Sequence, residues 1–142
     1  MPTTPYESAT LLLRLYELRR EPTMREARNW YAREFNPTSV DEVVAAVRGP
    51  HSGHFRMVTS YWDMAASFVL NGAIDEQMFL DANGEHLVAF AKIEEFVEGY
   101  RAQMGNAAYL KSLETLVRRQ PGSQQAMASM RERLRALAAT AR

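Results

Sequence analysis

Apolar residues recur at three- and four-residue intervals along almost the whole chain, and no stretch alternates with the period of two that marks a strand. Leu11, Leu12, Leu15 and Tyr16 mark the inner face of a first helix over about 5–20. Its start is written in Thr4, Pro5 and Glu7, a capping box with proline at the first helical position. Thr23 with Glu26 and Ser39 with Glu42 repeat the box. They head a second helix over about 24–35, with Ala27, Trp30, Tyr31 and Phe35 inward, and a short third over about 40–47. Glu21-Pro22, Asn36-Pro37 and Gly49-Pro50 separate these elements, because the residue before a proline is pushed out of the helical region. After the loop "RGPHSGHF", Phe55, Val58, Trp62, Ala65 and Val69 recur with Met57, Tyr61 and Phe68 beside them. So wide an apolar face suits a central helix with neighbours on several sides, ended by Asn71-Gly72.

The acidic stretch "GAIDEQMFLDANGEH" reads as a helix start. Asp75 stands at the N-cap, and Ile74 and Phe79 are placed to form a hydrophobic staple across it. A calcium loop fails on spacing: with Asp81 as first ligand, the glycine falls at position four instead of six, and position twelve is Lys92. Phe79, Asn83, His86, Phe90, Ile93, Val97, Tyr100 and Met104 then keep a four-and-three spacing. They predict one long central helix over about 75–104, with a kink or break at Gly84. Gly105-Asn106 precedes a helix over about 107–119, with Tyr109, Leu110, Leu113, Leu116 and Val117 inward. After "QPGS", a last helix over about 124–141 carries Met127, Met130, Leu134, Leu137 and Ala141 at heptad-like spacing. The expected fold is all-α, a bundle of six to seven helices. Residues 1–122 form the bundle domain, and 123–142 an amphipathic helix packed on that domain or on a partner chain.

Composition agrees with a folded chain: 46% of the 142 residues are hydrophobic and 24% charged. No cysteine is present, which removes disulfides, thiolate metal sites and a cysteine nucleophile. No apolar run spans a bilayer, and "MPTTPYES" lacks the basic and apolar parts of a signal peptide, so a cytoplasmic location is expected. The net charge is zero but unevenly spread. Residues 63–100 hold one basic and eight acidic side chains, whereas 101–142 hold eight basic and two acidic. The two regions are expected to neutralise each other, within one molecule or between two.

Candidate chemistry is sparse. His51 and His54 share a glycine-bearing loop, but zinc needs three or four convergent ligands and the sequence offers no others nearby, so no metal is assigned. A di-metal bundle fails because Asn83, His51 and Arg48, not glutamates, stand three residues before the histidines. The chain has no phosphate-cradling glycine motif, nucleophile elbow or zincin helix, and no catalytic residue or cofactor is assigned. His86 and Asn83 fall in an otherwise apolar seam, with Tyr61 and Asp63 on the preceding helix. Either this is a hydrogen-bonded structural seam, or it is the polar pocket of a small-molecule-binding or enzymatic bundle.

The last helix offers a partner surface. Met127, Met130, Leu134 and Leu137 suit pairing with a second chain, and Arg131 and Arg135 are placed to meet an acidic neighbour. Arg118, Arg119, Arg133 and Arg142 extend the basic end, which makes phosphate contact with nucleic acid a further alternative, without any known binding motif. The expectation is a non-enzymatic interaction or oligomerisation protein, acting as a homodimer or on a protein partner.

The runs "REARNWYAREFNP", "VTSYWDMAASFVLNGAIDEQMFLD" and "FVEGYRAQMGNAAYLKSLETLV" resemble a bacterial family of small helical proteins known only as a domain of unknown function, over about residues 25–117. The resemblance implies a helical fold and carries over no reaction, cofactor or site residue. Members often have a transmembrane segment ahead of this region; here Arg14, Glu17, Arg19 and Arg20 interrupt the first helix.

Overall fold

The computed structural model describes residues 3–140; Ala141 and Arg142, expected at the end of the last helix, lie outside them. The described chain forms α1 (Pro5–Arg20), α2 (Pro22–Arg33), α3 (Val40–Arg48), α4 (Ser52–Leu70), α5 (Glu76–Ala82), α6 (Glu85–Ala91), a 3-10 turn (Glu94–Phe96), α7 (Val97–Met104), α8 (Lys111–Arg118) and α9 (Ser123–Thr140). No strand occurs among the described residues, and the fold is an all-α bundle. The helices outnumber the six or seven expected because the long helix breaks at Asn83-Gly84, as its glycine suggested, and again at 92–96.

The caps explain most of the boundaries. Thr4 accepts from the Glu7 N–H and Glu7 accepts from the Thr4 N–H, the reciprocal box. Ser39 and Asp75 cap α3 and α5 through the N–H groups of Glu42 and Met78. At α2 the cap is Glu21, not Thr23, and it accepts from the Met24 N–H. Pro22 favours this earlier start, since it fits the first helical position and has no N–H to satisfy.

The long helix expected over 75–104 is helical in pieces. Asn83 adopts an extended backbone (φ −136, ψ 139) and its side chain donates back to the Phe79 carbonyl, ending α5 one residue before Gly84. A second irregularity at 92–96 kinks the helical run from 85 to 104. Lys92 turns its ammonium toward α2, while Glu94 turns its carboxylate toward α9. On a straight helix residues two apart point roughly 200° apart around the axis. Here both must be inward, and the 3-10 turn reconciles them.

The hub is α4, which packs along α2 and α8 and also meets α3, α5 and α6. It buries Phe55, Val58, Thr59, Tyr61, Trp62, Ala65, Ala66 and Val69, the broad face its sequence predicts. Alanines at 65 and 66 let neighbouring helices approach, while Trp62 and Phe55 fill the space between them; full burial of a large apolar side chain contributes about 2–3 kcal/mol. Gly99 permits a close crossing of α7 over α3, where a Cβ would stand 2.6 Å from Cγ2 of Val40.

Two local departures from the sequence reading have tertiary causes. Tyr16, expected inward, is 47% exposed. The rotation of α1 is set instead by Ser8, which accepts from the Asp75 N–H, and by the Tyr61 hydroxyl, which donates to the Leu15 carbonyl at 2.6 Å. At the other end α8 starts at Lys111, because Leu110 sits in the left-handed region (φ 55, ψ 27). That conformation costs a side-chain-bearing residue about 1–2 kcal/mol.

Candidate functional site

The four polar residues singled out from sequence do not converge on one pocket. His86 is 5% exposed, with its ring 5.1 Å from that of Phe79 and 6.1 Å from the indole of Trp62. Burial pushes its pKa down to about 4, so it is neutral at neutral pH, and its Nδ1 has no hydrogen-bond partner. Asn83 is engaged on both sides, accepting from Arg19 at 3.3 Å and donating to the Phe79 carbonyl. Tyr61 spends its hydroxyl on α1, and burial pushes its pKa up to about 12. Asp63 lies apart from the others and accepts from the Leu113 N–H at 3.0 Å. It thereby supplies α8 with the N-terminal acceptor that Leu110 lacks. Asn83, Tyr61 and Asp63 thus each bond to a different part of the chain, and the chain order of the residues gave no sign of the separation.

The histidine loop packs against α2. The α4 helix begins at Ser52, so the predicted loop ends early, and the rings of His51 and His54 gather around Trp30 at 5.1 and 6.1 Å. Among the described residues no group of three or more histidine, aspartate or glutamate side chains is placed to hold a metal ion.

The stripe proposed as a partner seam is largely consumed inside the molecule. Helix α9 lies on α6 and α8. Met127 is fully buried in the core and Met130 packs against it, whereas Leu137 points outward at 66% exposure. The inward positions follow the straight 3.6-residue helix through Met127, Met130, Arg131, Leu134 and Ala138, and Leu137 falls outside that stripe. Arg131 pairs with Glu94 and Glu95, Arg135 with Glu95, Arg118 with Glu94 and Glu114, and Arg119 with Glu76. The acidic middle and basic end thus neutralise each other within one chain.

Three features escaped the sequence reading. Lys92, the lone base in the acidic 63–100 stretch, is buried and donates to the carbonyls of Tyr31 (2.7 Å), Ala32 (2.9 Å) and Phe35 (2.6 Å) and to Asn36 Oδ1 (3.2 Å). Burial lowers its pKa to about 8. The second feature is a cleft of about 530 Å³ between α2 and α6, floored by Val58 and Trp62 of α4 and touched by Leu134 of α9. The third is the outer face of α1. Tyr6, Leu13 and Tyr16 are 81%, 62% and 47% exposed, beside a mostly apolar groove of about 360 Å³ that α1 shares with Met78, Ala82 and Asn83. Arg19 and Arg20 hold their guanidinium groups 5.5 and 5.4 Å from the Tyr16 ring.

These features define a small all-helical domain whose most exposed cluster of large apolar side chains lies on its first helix. Residues 6–120 match the family described as a domain of unknown function (DUF4760), and the chain belongs to that family. The matched span contains residues 25–117, on which the resemblance rests, and stops before α9. No curated protein and no solved structure matches the chain.

Proposed function

We propose that the protein is a cytoplasmic, non-enzymatic association module that works as a homodimer, with α1 as the contact face. The observation that carries this reading is the outward stripe of α1. Tyr6, Ala9, Leu13 and Tyr16 follow the three-four-three spacing of a helix seam, and the three large side chains stand clear of their own domain. Soluble monomers usually show exposed apolar residues singly, and a contiguous stripe marks a contact surface. The stripe is self-complementary in an antiparallel pair. Tyr6 would face Tyr16 of the partner subunit, and Ala9, the small position, would receive Leu13 of the partner subunit. Such pairing also sets the acidic first turn, with Glu7, near the basic last turn, with Arg19 and Arg20. A two-fold dimer is the commonest closed assembly.

Light scattering on a sizing column, over a range of protein concentration, tests the proposal. The wild-type chain is expected at twice the chain mass of 16.2 kDa, and Leu13→Glu at the single mass with an unchanged far-UV circular dichroism spectrum. A wild-type chain that stays at the single mass at every concentration overturns the reading. So does a Leu13→Glu variant that still dimerises.

A further inference from the structure

The cleft between α2 and α6 joins two features that the fold leaves unexplained. Its floor includes Trp62, 1% exposed, whose indole N–H has no hydrogen-bond acceptor. An indole nitrogen is a donor only, and a buried donor without an acceptor costs free energy that folded proteins nearly always avoid. Its mouth carries Arg25, Arg28, Asn29 and Arg33 along one face of α2, with Glu85 opposite on α6. Arg28 satisfies Glu85 through Nε and Nη2 at 2.8 and 2.7 Å, and gives Nη1 to the Arg19 carbonyl at 3.2 Å. The cleft's single carboxylate is therefore matched by its own guanidinium. Arg25 and Arg33 have no carboxylate within ion-pair distance among the described residues; they stand one helical turn on either side of Asn29.

The uncommitted polar groups of the cleft are rich in donors: the Trp62 N–H, the two guanidinium groups and the NH2 of Asn29, whose amide oxygen is the one acceptor among them. The Tyr31 hydroxyl, which also borders the cleft, is committed to the Ala89 carbonyl. Between mouth and floor the lining is apolar, from Val58, Val88, Ala89 and Leu134. A site of about 530 Å³ falls in the range that holds small organic molecules. The broad groove along α4 and α7 is larger, about 1070 Å³, but the buried polar atoms lining it have partners, among them the Tyr109 hydroxyl on Thr59 and Asp63 on Leu113.

We propose that the α2–α6 cleft binds a small amphipathic organic anion. Its carboxylate lies at the mouth between Arg25 and Arg33, beside Asn29. Its short apolar body crosses the valine and leucine lining. A second oxygen acceptor on that body, of the kind an oxo or hydroxy acid carries, takes the Trp62 N–H, whose nitrogen is covered in the free protein and is reached when the side chains over the cleft floor give way. The site is separate from the α1 face and does not depend on dimerisation. Because Leu134 belongs to α9, the helix beyond the family-matched span completes one wall of the cleft.

Indole resonances in a proton–nitrogen NMR spectrum of the full chain test this directly. The protein has two tryptophans, and Trp30→Phe assigns which signal belongs to Trp62. Levulinate is expected to move the Trp62 signal saturably and leave that of Trp30 in place. Pentanoate, which keeps the carboxylate and lacks the oxo group, should bind about tenfold more weakly, as should the methyl ester of levulinate, which lacks the charge. Replacing the exposed pair, Arg25→Gln with Arg33→Gln, should weaken levulinate about tenfold or more while the melting temperature and the ligand-free Trp62 signal stay unchanged. The proposal is overturned if the Trp62 signal ignores levulinate, if acid and ester bind alike, or if the arginine pair proves irrelevant. A strong water-to-indole cross-relaxation that persists at saturating levulinate also overturns it, because water would then be the partner of Trp62.

Discussion

His86 shows how far a single residue can be read. Helical spacing marks it as a polar group in an apolar seam, but its neighbours Phe79 and Trp62 come together only through the packing of α4, α5 and α6. Their rings strip its water, and that desolvation holds its pKa near 4, below the ordinary value of 6.5. Between about 4 and 6.5 the unfolded chain keeps the proton that the folded chain refuses, so stability rises with pH through that window and is complete above it. Acidification to about pH 4 should remove up to about 3 kcal/mol through this residue. His86→Phe retains an aromatic ring and cannot take a proton. Urea unfolding of the two proteins at neutral and mildly acid pH should show a shallower acid loss for the variant; equal slopes would mean that His86 does not titrate as buried.

At the level of elements, helix ends are more often finished by distant residues than local spacing reveals. Capping boxes lie within four residues and are legible, as at Thr4 and Ser39. The cap of α8 comes from Asp63, fifty residues earlier, and the end of α2 is held by Lys92, about sixty residues later. No one-dimensional pattern encodes such a pairing. The available hint for Lys92 was its isolation as a base among acids. Lys92→Met keeps the stem and removes the ammonium, leaving the carbonyls of Tyr31, Ala32 and Phe35 without that donor. A loss of about 2–4 kcal/mol in chemical denaturation is expected, with faster hydrogen exchange in the last turn of α2. A change within experimental scatter would show that water replaces the ammonium without penalty.

Over the whole molecule, α9 is locked to the bundle by both burial and charge. Met127 closes the core, and Glu94, itself almost fully buried, meets Arg131 on α9 and Arg118 on α8. Removing one member of such a set costs more than the set contributes, because it strands a charge in a dry place. Arg131→Met should destabilise the protein by about 3 kcal/mol, and adding Glu94→Gln should recover a part of that loss. Thermal or urea unfolding of the single and double variants measures both. If the second substitution adds a further loss of its own full size, the two residues are not coupled and α9 is held by its apolar face alone.

The amino-acid sequence by itself determined the helical class, most of the breaks and several caps, because these depend on residues within one or two turns of each other. The wide face of α4 and the Asp75 cap of α5 belong to the same local physics. The tertiary structure alone decided which way α1 turns, that the helical run breaks a second time at 92–96, that Arg131 and Arg135 of α9 are spent on their own chain, and that Asp63 and His86 lie in different places. It also brought Trp62 under a row of arginines on another helix. Those outcomes depend on which buried polar groups find partners across the bundle, and that is settled only when all the helices are packed at once.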